Sequence, residues 1–173
     1  MKKIIIFFAA SFVMIQACNV NPSNKKADAK LIDKERCSFE LPDSLALQNI
    51  DTTTFSREGY FKIAPAVEAG MLQIFVYDEP NDVNEKVALQ EKALNNPDIF
   101  TASAITPIKH WGKYDGKGIV MPGTYNGGVI KGKITVFSYS NNKSSFVIIR
   151  QDIGSHESVK ADFDVIENSF MLK

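Results

Sequence analysis

The sequence predicts an α+β fold, a sandwich built on a mostly antiparallel β-sheet of about six or seven strands flanked by helices. Two observations carry the sheet. Between residues 105 and 151 four apolar runs follow one another with only turn residues between them, and short connections make successive strands antiparallel neighbours. Upstream, shorter runs alternate apolar and polar residues or are bounded by Gly and Pro. The third observation is a change of period. Residues 83–94 and 159–170 space their apolar side chains by three and four, which is helical spacing.

Before any of these elements, Lys2 and Lys3 precede an uncharged apolar run, residues 4–18 (IIIFFAASFVMIQAC), with the layout of a secretory signal. As a helix rising ~1.5 Å per residue, the run falls short of a hydrocarbon core ~30 Å thick. Its end, Ile15-Gln16-Ala17-Cys18, resembles the lipobox of bacterial lipoproteins: an aliphatic residue, two positions usually small, then cysteine. Gln16 departs from that pattern. The alternative is ordinary signal cleavage after Ala17, which prefers a small residue where Ile15 stands. The resemblance implies cleavage after residue 17, acylation of Cys18 and attachment to a membrane through that lipid. The residue after Cys18 is Asn19, not the Asp of familiar inner-membrane retention signals. No acidic run of the surface-export kind follows. An outer-membrane location facing the periplasm is therefore expected.

Residues 18–31 form a polar tether after the cysteine, with Pro22 and no aromatic residue. The folded domain is expected to span 32–173. Phe39 and Leu41 alternate with Ser38 and Glu40 as on a half-buried strand, which Pro42 stops. Residues 42–50 read as a turn or short helix carrying Leu45 and Leu47. Strands follow at 60–63 and at 71–77, the latter apolar in both alternating sets and thus expected to be covered on both faces. Asp82, with Glu85 three residues on, caps a helix whose face is Val83, Val87 and Leu94, and Asn95-Asn96-Pro97 ends it. Residues 98–104 read as a loop. The meander then runs 105–111, 119–125, 129–139 and 145–151. Asp115-Gly116 is expected at its first turn, Asn126-Gly127-Gly128 at its second and residues 140–142 at its third. The last run, SFVIIRQ, is apolar enough for a central strand. Ser155 is expected to cap a final helix with the stripe Val159, Phe163, Ile166 and Phe170.

Taken together, the opening SFELP, the helix before Asn95-Asn96-Pro97, the meander and the closing FDVIENSF resemble the PsbP/Mog1/DcrB-like fold over residues 36–173. That resemblance implies the sandwich and agrees with a periplasmic lipoprotein. It implies no common chemistry.

Composition narrows the functional classes. Lys+Arg and Asp+Glu are both 20, and cleavage after residue 17 removes two lysines and no acid, leaving the mature side chains at −2. Near-neutrality gives no footprint for nucleic acid and no polybasic signal for anionic lipid. Of the two cysteines, an acylated Cys18 leaves Cys37 without an intrachain partner; an unacylated one permits a Cys18–Cys37 disulfide. Cys37 reads as a small buried thiol on a strand. The glycine spacings match neither a dinucleotide fingerprint nor a P-loop, and there is no CxxC, so neither a cofactor nor a metal is called for.

Candidate sites are correspondingly few. His110 and Trp111, beside Tyr114, form a possible aromatic ligand platform, or else close the end of the core. Ser155-His156-Glu157 contains triad residue types, but adjacent helical residues do not face one another. Asp162, Asp164 and Glu167 read as a solvated helix face before a cation site. Asp43-Ser44-Leu45 and Asp51-Thr52-Thr53 resemble O-glycosylation tripeptides of Bacteroidetes, and Asn142-Lys143-Ser144 is a sequon. No nucleophile–base pair is evident. Three functions follow: a non-enzymatic lipid-anchored module for an envelope protein or assembly, a binding module for a small ligand near Trp111, and last a hydrolase.

Overall fold

The computed structural model describes residues 28–48, 59–66 and 69–173. The signal, Cys18, residues 19–27 of the tether and Thr52 lie outside the described residues.

Two antiparallel sheets enclose one core. The smaller has the order β1 (Ala29–Asp33), β2 (Cys37–Pro42) and β11 (Met171–Leu172). The larger runs from β3 (Leu45–Gln48) through β4 (Tyr60–Pro65), β5 (Gly70–Tyr77), β10 (Ser145–Ile153), β9 (Ile130–Ser140) and β8 (Tyr114–Tyr125) to β6 (Phe100–Ala102). A further strand, β7 (Thr106–Trp111), also pairs with β8. Helix α1 is Val83–Leu94 and α2 is Glu157–Ser169.

The layers follow from side-chain alternation. On one face of the large sheet Phe61, Ile63, Leu72, Ile74, Val76, Phe137, Phe146 and Ile148 meet Phe39 and Leu41 of β2 and Val159, Phe163 and Ile166 of α2. Phe39 sits edge-on to Phe61 at 5.5 Å, and Phe170 follows α2 into the same cluster. On the other face Val87 of α1 packs with Phe100, Ile119, Met121, Tyr125, Ile134, Val136 and Ile149. Strand β10 lies between β5 and β9 with both faces covered, and residues 145–150 are all buried. The central position read from its apolar run is the one it occupies.

Several elements differ from the sequence reading. Strand β1 begins at Ala29, inside the expected tether, because its backbone pairs with β2 from Ala29↔Pro42 to Asp33↔Ser38. Only Ile32 of β1 is buried, so its polar composition hides a strand held by backbone bonds. Residues 45–48 form strand β3, and residues 49–50 lie outside the described residues. The expected loop at 98–104 contains β6, paired with 123–125 of β8. Strand β11, unexpected, follows α2 and closes on Cys37 and Ser38. With these, the strand number exceeds six or seven. Strand β5 is fully covered only through Leu72, Ile74 and Val76; its other set is half-buried, because α1 lies over β8 and β9.

The first meander turn is also displaced. Trp111 pairs with Tyr114, so Gly112-Lys113 make the turn and Asp115-Gly116 lie in β8. Gly112 has φ +52°, a left-handed conformation that favours glycine. Gly116 is glycine for a different reason: a Cβ there would stand 2.3 Å from the Ser138 carbonyl oxygen and 2.7 Å from the Phe137 ring. Helix α1 starts as expected, with Asp82 Oδ1 accepting from the amides of Asn84 at 2.8 Å and Glu85 at 3.2 Å. Helix α2 does not, since its cap is His156 rather than Ser155 and no side chain caps it.

Candidate functional site

The β7–β8 hairpin separates the residues that sequence reading placed together. A tight turn sends alternate side chains to opposite faces of the sheet. Trp111 is 2% exposed and packs on Phe137, Phe146 and Phe170, with its nearest of these centroids, Phe170, at 5.4 Å. Its Nε1–H is buried without an acceptor. Tyr114 is half-buried against Tyr139, Phe146 and Phe170, and its hydroxyl accepts the Leu172 amide at 2.7 Å. Burial is the main cause that raises the Tyr114 pKa. Both rings therefore close the end of the core, and Trp111 offers no face to a ligand. His110 alone of the three is exposed.

His110 Nδ1 lies 2.5 Å from Asp115 Oδ1 across the hairpin. The pair lines an open cleft of about 570 Å³ with Lys109 and Lys117 of the hairpin, Ser140 at the end of β9 and Val83 at the start of α1. A β-bulge between Ile108 and His110 shapes the rim, because Ile108 pairs with Gly118 while His110 pairs with Asp115. Lys109 is therefore level with residues 116 and 117. The Ser140 hydroxyl accepts the Asn81 amide at 3.0 Å. Histidine, aspartate and serine thus share one cleft, yet no hydrogen bond joins Ser140 to His110 among the described residues. Orientation by a carboxylate is present; a nucleophile–base contact is not. Sequence spacing showed nothing of this cleft, since Ser140 and Val83 come from distant elements.

The acids near the C-terminus serve a structural cation. Arg150, 8% exposed, donates through Nε to Asp152 at 3.0 Å, through Nη1 to Asp164 at 2.6 Å and through Nη2 to the Lys160 carbonyl at 3.2 Å. Glu167 stands 3.8 Å away and also accepts the Gly112 amide at 2.9 Å, tying α2 to the hairpin. Burial opposes the guanidinium charge, but the bond to Asp164 and the charge of Asp152 outweigh it and raise the Arg150 pKa. Asp152 Oδ2 has no hydrogen-bond partner; Lys133 Nζ at 3.3 Å is an ion pair rather than a directed bond. Asp162 accepts the Ser44 hydroxyl at 2.5 Å. Among the described residues no cluster of metal-ligating side chains occurs.

The other candidates fall on the surface or in the core. His156 and Glu157 are exposed at the start of α2, where Glu157 pairs with Lys160 at 2.7 Å. Ser44 is exposed in the β2–β3 turn and Asn142 in the β9–β10 turn. Cys37 is a free thiol, 1% exposed, and burial pushes its pKa up to about 12.

No family model and no curated protein matches the sequence. Solved structures do. The solution structure of cyanobacterial PsbP (CyanoP) from Synechocystis aligns with TM-score 0.51 at 10% identity, over 85% of this chain and 94% of that one. The chain has a PsbP-like fold. LpqN, involved in cell envelope biogenesis of Mycobacterium tuberculosis, aligns with TM-score 0.49 at 15% identity, over 84% of this chain and 91% of LpqN. The Saccharomyces cerevisiae Ran-binding protein Mog1p gives 0.48 at 8% identity, over 84% and 96%. At these identities the likeness concerns architecture alone.

Proposed function

We infer that the chain is a lipid-anchored, non-enzymatic binding module of the bacterial cell envelope, working through the cleft beside His110. The cleft carries the reading. It is open and carries two lysines, its histidine is held by Asp115, and its serine accepts a backbone amide rather than contacting a base. The large exposed apolar side chains are spread over separate elements, such as Leu31 on β1, Leu89 on α1 and Met171 on β11. They mark a docking face less clearly than the cleft does. The anchor rests on the lipobox-like Ile15-Gln16-Ala17-Cys18, and Asn19 favours the outer membrane, facing the periplasm.

Two measurements test this. Cells fed a clickable fatty acid should label the wild type and leave Cys18→Ser unlabelled; an unlabelled wild type with a free Cys18 overturns the anchor. A photo-reactive residue in place of Val83, at the cleft wall, should yield an adduct of defined mass in the native host, and one in place of exposed Leu89 should not. Equal yields at the two positions would remove the cleft from the function.

A further inference from the structure

We propose that the cleft between the β7–β8 hairpin and the start of α1 holds the phosphate group of a small molecule. The assignment rests on the reading of this cleft as the binding site. Two observations lead to it. First, Lys109 and Lys117 stand level on adjacent strands at the rim, brought there by the bulge in β8, where residues 116 and 117 oppose Lys109. Neither has an ion-pair partner among the described residues. Like charges across neighbouring strands repel, and an anion bridging them reverses the sign of that interaction. Second, the one acid in the lining, Asp115, is bonded across the hairpin to His110 at 2.5 Å and makes no ion pair with either lysine.

The end of α1 contributes no anion site of its own, because Asp82 already takes the Asn84 and Glu85 amides. The charge is therefore met by side chains. Two ammonium groups suit the two charges and three terminal oxygens of a phosphomonoester better than a single carboxylate. A cleft of about 570 Å³ has the size of a small-molecule site.

The test is a titration of the isotope-labelled full chain in detergent with glycerol phosphate, followed through backbone amide resonances. Glycerol and sodium chloride at matched ionic strength serve as controls. Saturable shifts are expected at residues 109, 110, 116, 117 and 140. Lys109→Met and Lys117→Met should each weaken binding about tenfold, the size of one charge-assisted contact. Lys131→Met, in the separate cleft beside Thr101 and Thr124, should leave affinity unchanged. The resonances outside the cleft report that each variant is folded. Equal responses to chloride and to glycerol phosphate overturn the phosphate assignment, as do shifts spread over surface lysines or unmoved by both cleft substitutions. The photo-crosslink at position 83 leaves both lysines in place and is independent of this result, so an adduct there with no phosphate binding would keep the cleft and discard the ligand class.

Discussion

At the scale of the residue, two buried polar groups show how the surroundings decide chemistry. Cys37 is a thiol that burial holds neutral, with a pKa near 12 against an ordinary 9.0. In the folded state it stays protonated where the unfolded chain would ionise. Stability from this group is thus complete below pH 9 and declines as the pH rises toward 12, by about 1.4 kcal/mol per pH unit. The slope of stability against pH in that window should be shallower in Cys37→Ala, measured by denaturant unfolding. At neutral pH native Cys37 should resist alkylation and react fully once unfolded; rapid labelling of the native protein would contradict its burial. Arg150 is the opposite case, a charge retained because partners surround it. Arg150→Met strands Asp152, which is 2% exposed, and should cost ~3–5 kcal/mol. Replacing both with apolar residues should recover most of that loss, because the uncompensated charge and not the missing bond causes it. A double-mutant cycle measures the difference.

At the scale of the element, α2 and the β7–β8 hairpin depend on each other. Phe163 is 1% exposed on the inner face of α2, so Phe163→Ala should destabilise the domain by ~3–5 kcal/mol. Lys160→Ala, which loses only an ion pair with exposed Glu157, should stay within ~0.5 kcal/mol. Equal effects from the two would mean the helix phase is wrong. The hairpin is pinned where Glu167 accepts the Gly112 amide. A Cβ at Gly112 would stand 2.4 Å from the Glu167 carbonyl oxygen and would demand a left-handed backbone of an L residue. Gly112→Ala should therefore lower the melting temperature more than Asp115→Ala, whose side chain is exposed. The reverse order would put the turn back at Asp115-Gly116. The hairpin's outer strand, β7, carries Pro107, which discourages edge-to-edge pairing with another chain.

At the scale of the whole molecule, the N-terminal strand is part of the domain. A chain begun at residue 28 should unfold in one cooperative transition. A chain begun at residue 34 lacks β1, exposes one edge of β2 and uncovers Phe39 beside Ile32, and should melt at a clearly lower temperature. Identical melting curves would restore the tether as far as residue 31. If the proposed anchor at Cys18 holds, a tether shortened by three residues keeps the cleft closer to the membrane. Each residue spans at most ~3.6 Å, so the difference is at most ~11 Å, about the spacing between two stacked sheets.

Periodicity alone determined the two helices, the antiparallel meander and the central strand, and it did so for a physical reason. Val159, Phe163, Ile166 and the run in 145–151 must be buried, and spacing dictates which local geometry buries them. The same reasoning located the cap at Asp82 and the buried state of Cys37. It missed β1, β6 and β11, whose pairing is made by backbone groups and leaves little mark on side-chain pattern. It also placed the first turn at Asp115-Gly116, since a glycine needed for a left-handed turn and a glycine needed for close approach to Phe137 look alike in a sequence. The candidate site divides in the same way. His110 was legible as a residue of interest, but its neighbours Trp111 and Tyr114 turn into the core, and Lys117, Ser140 and Val83 arrive from other elements. Local preference is written into adjacent residues; a cleft is made by residues far apart in the chain, and only the closed tertiary structure brings them together.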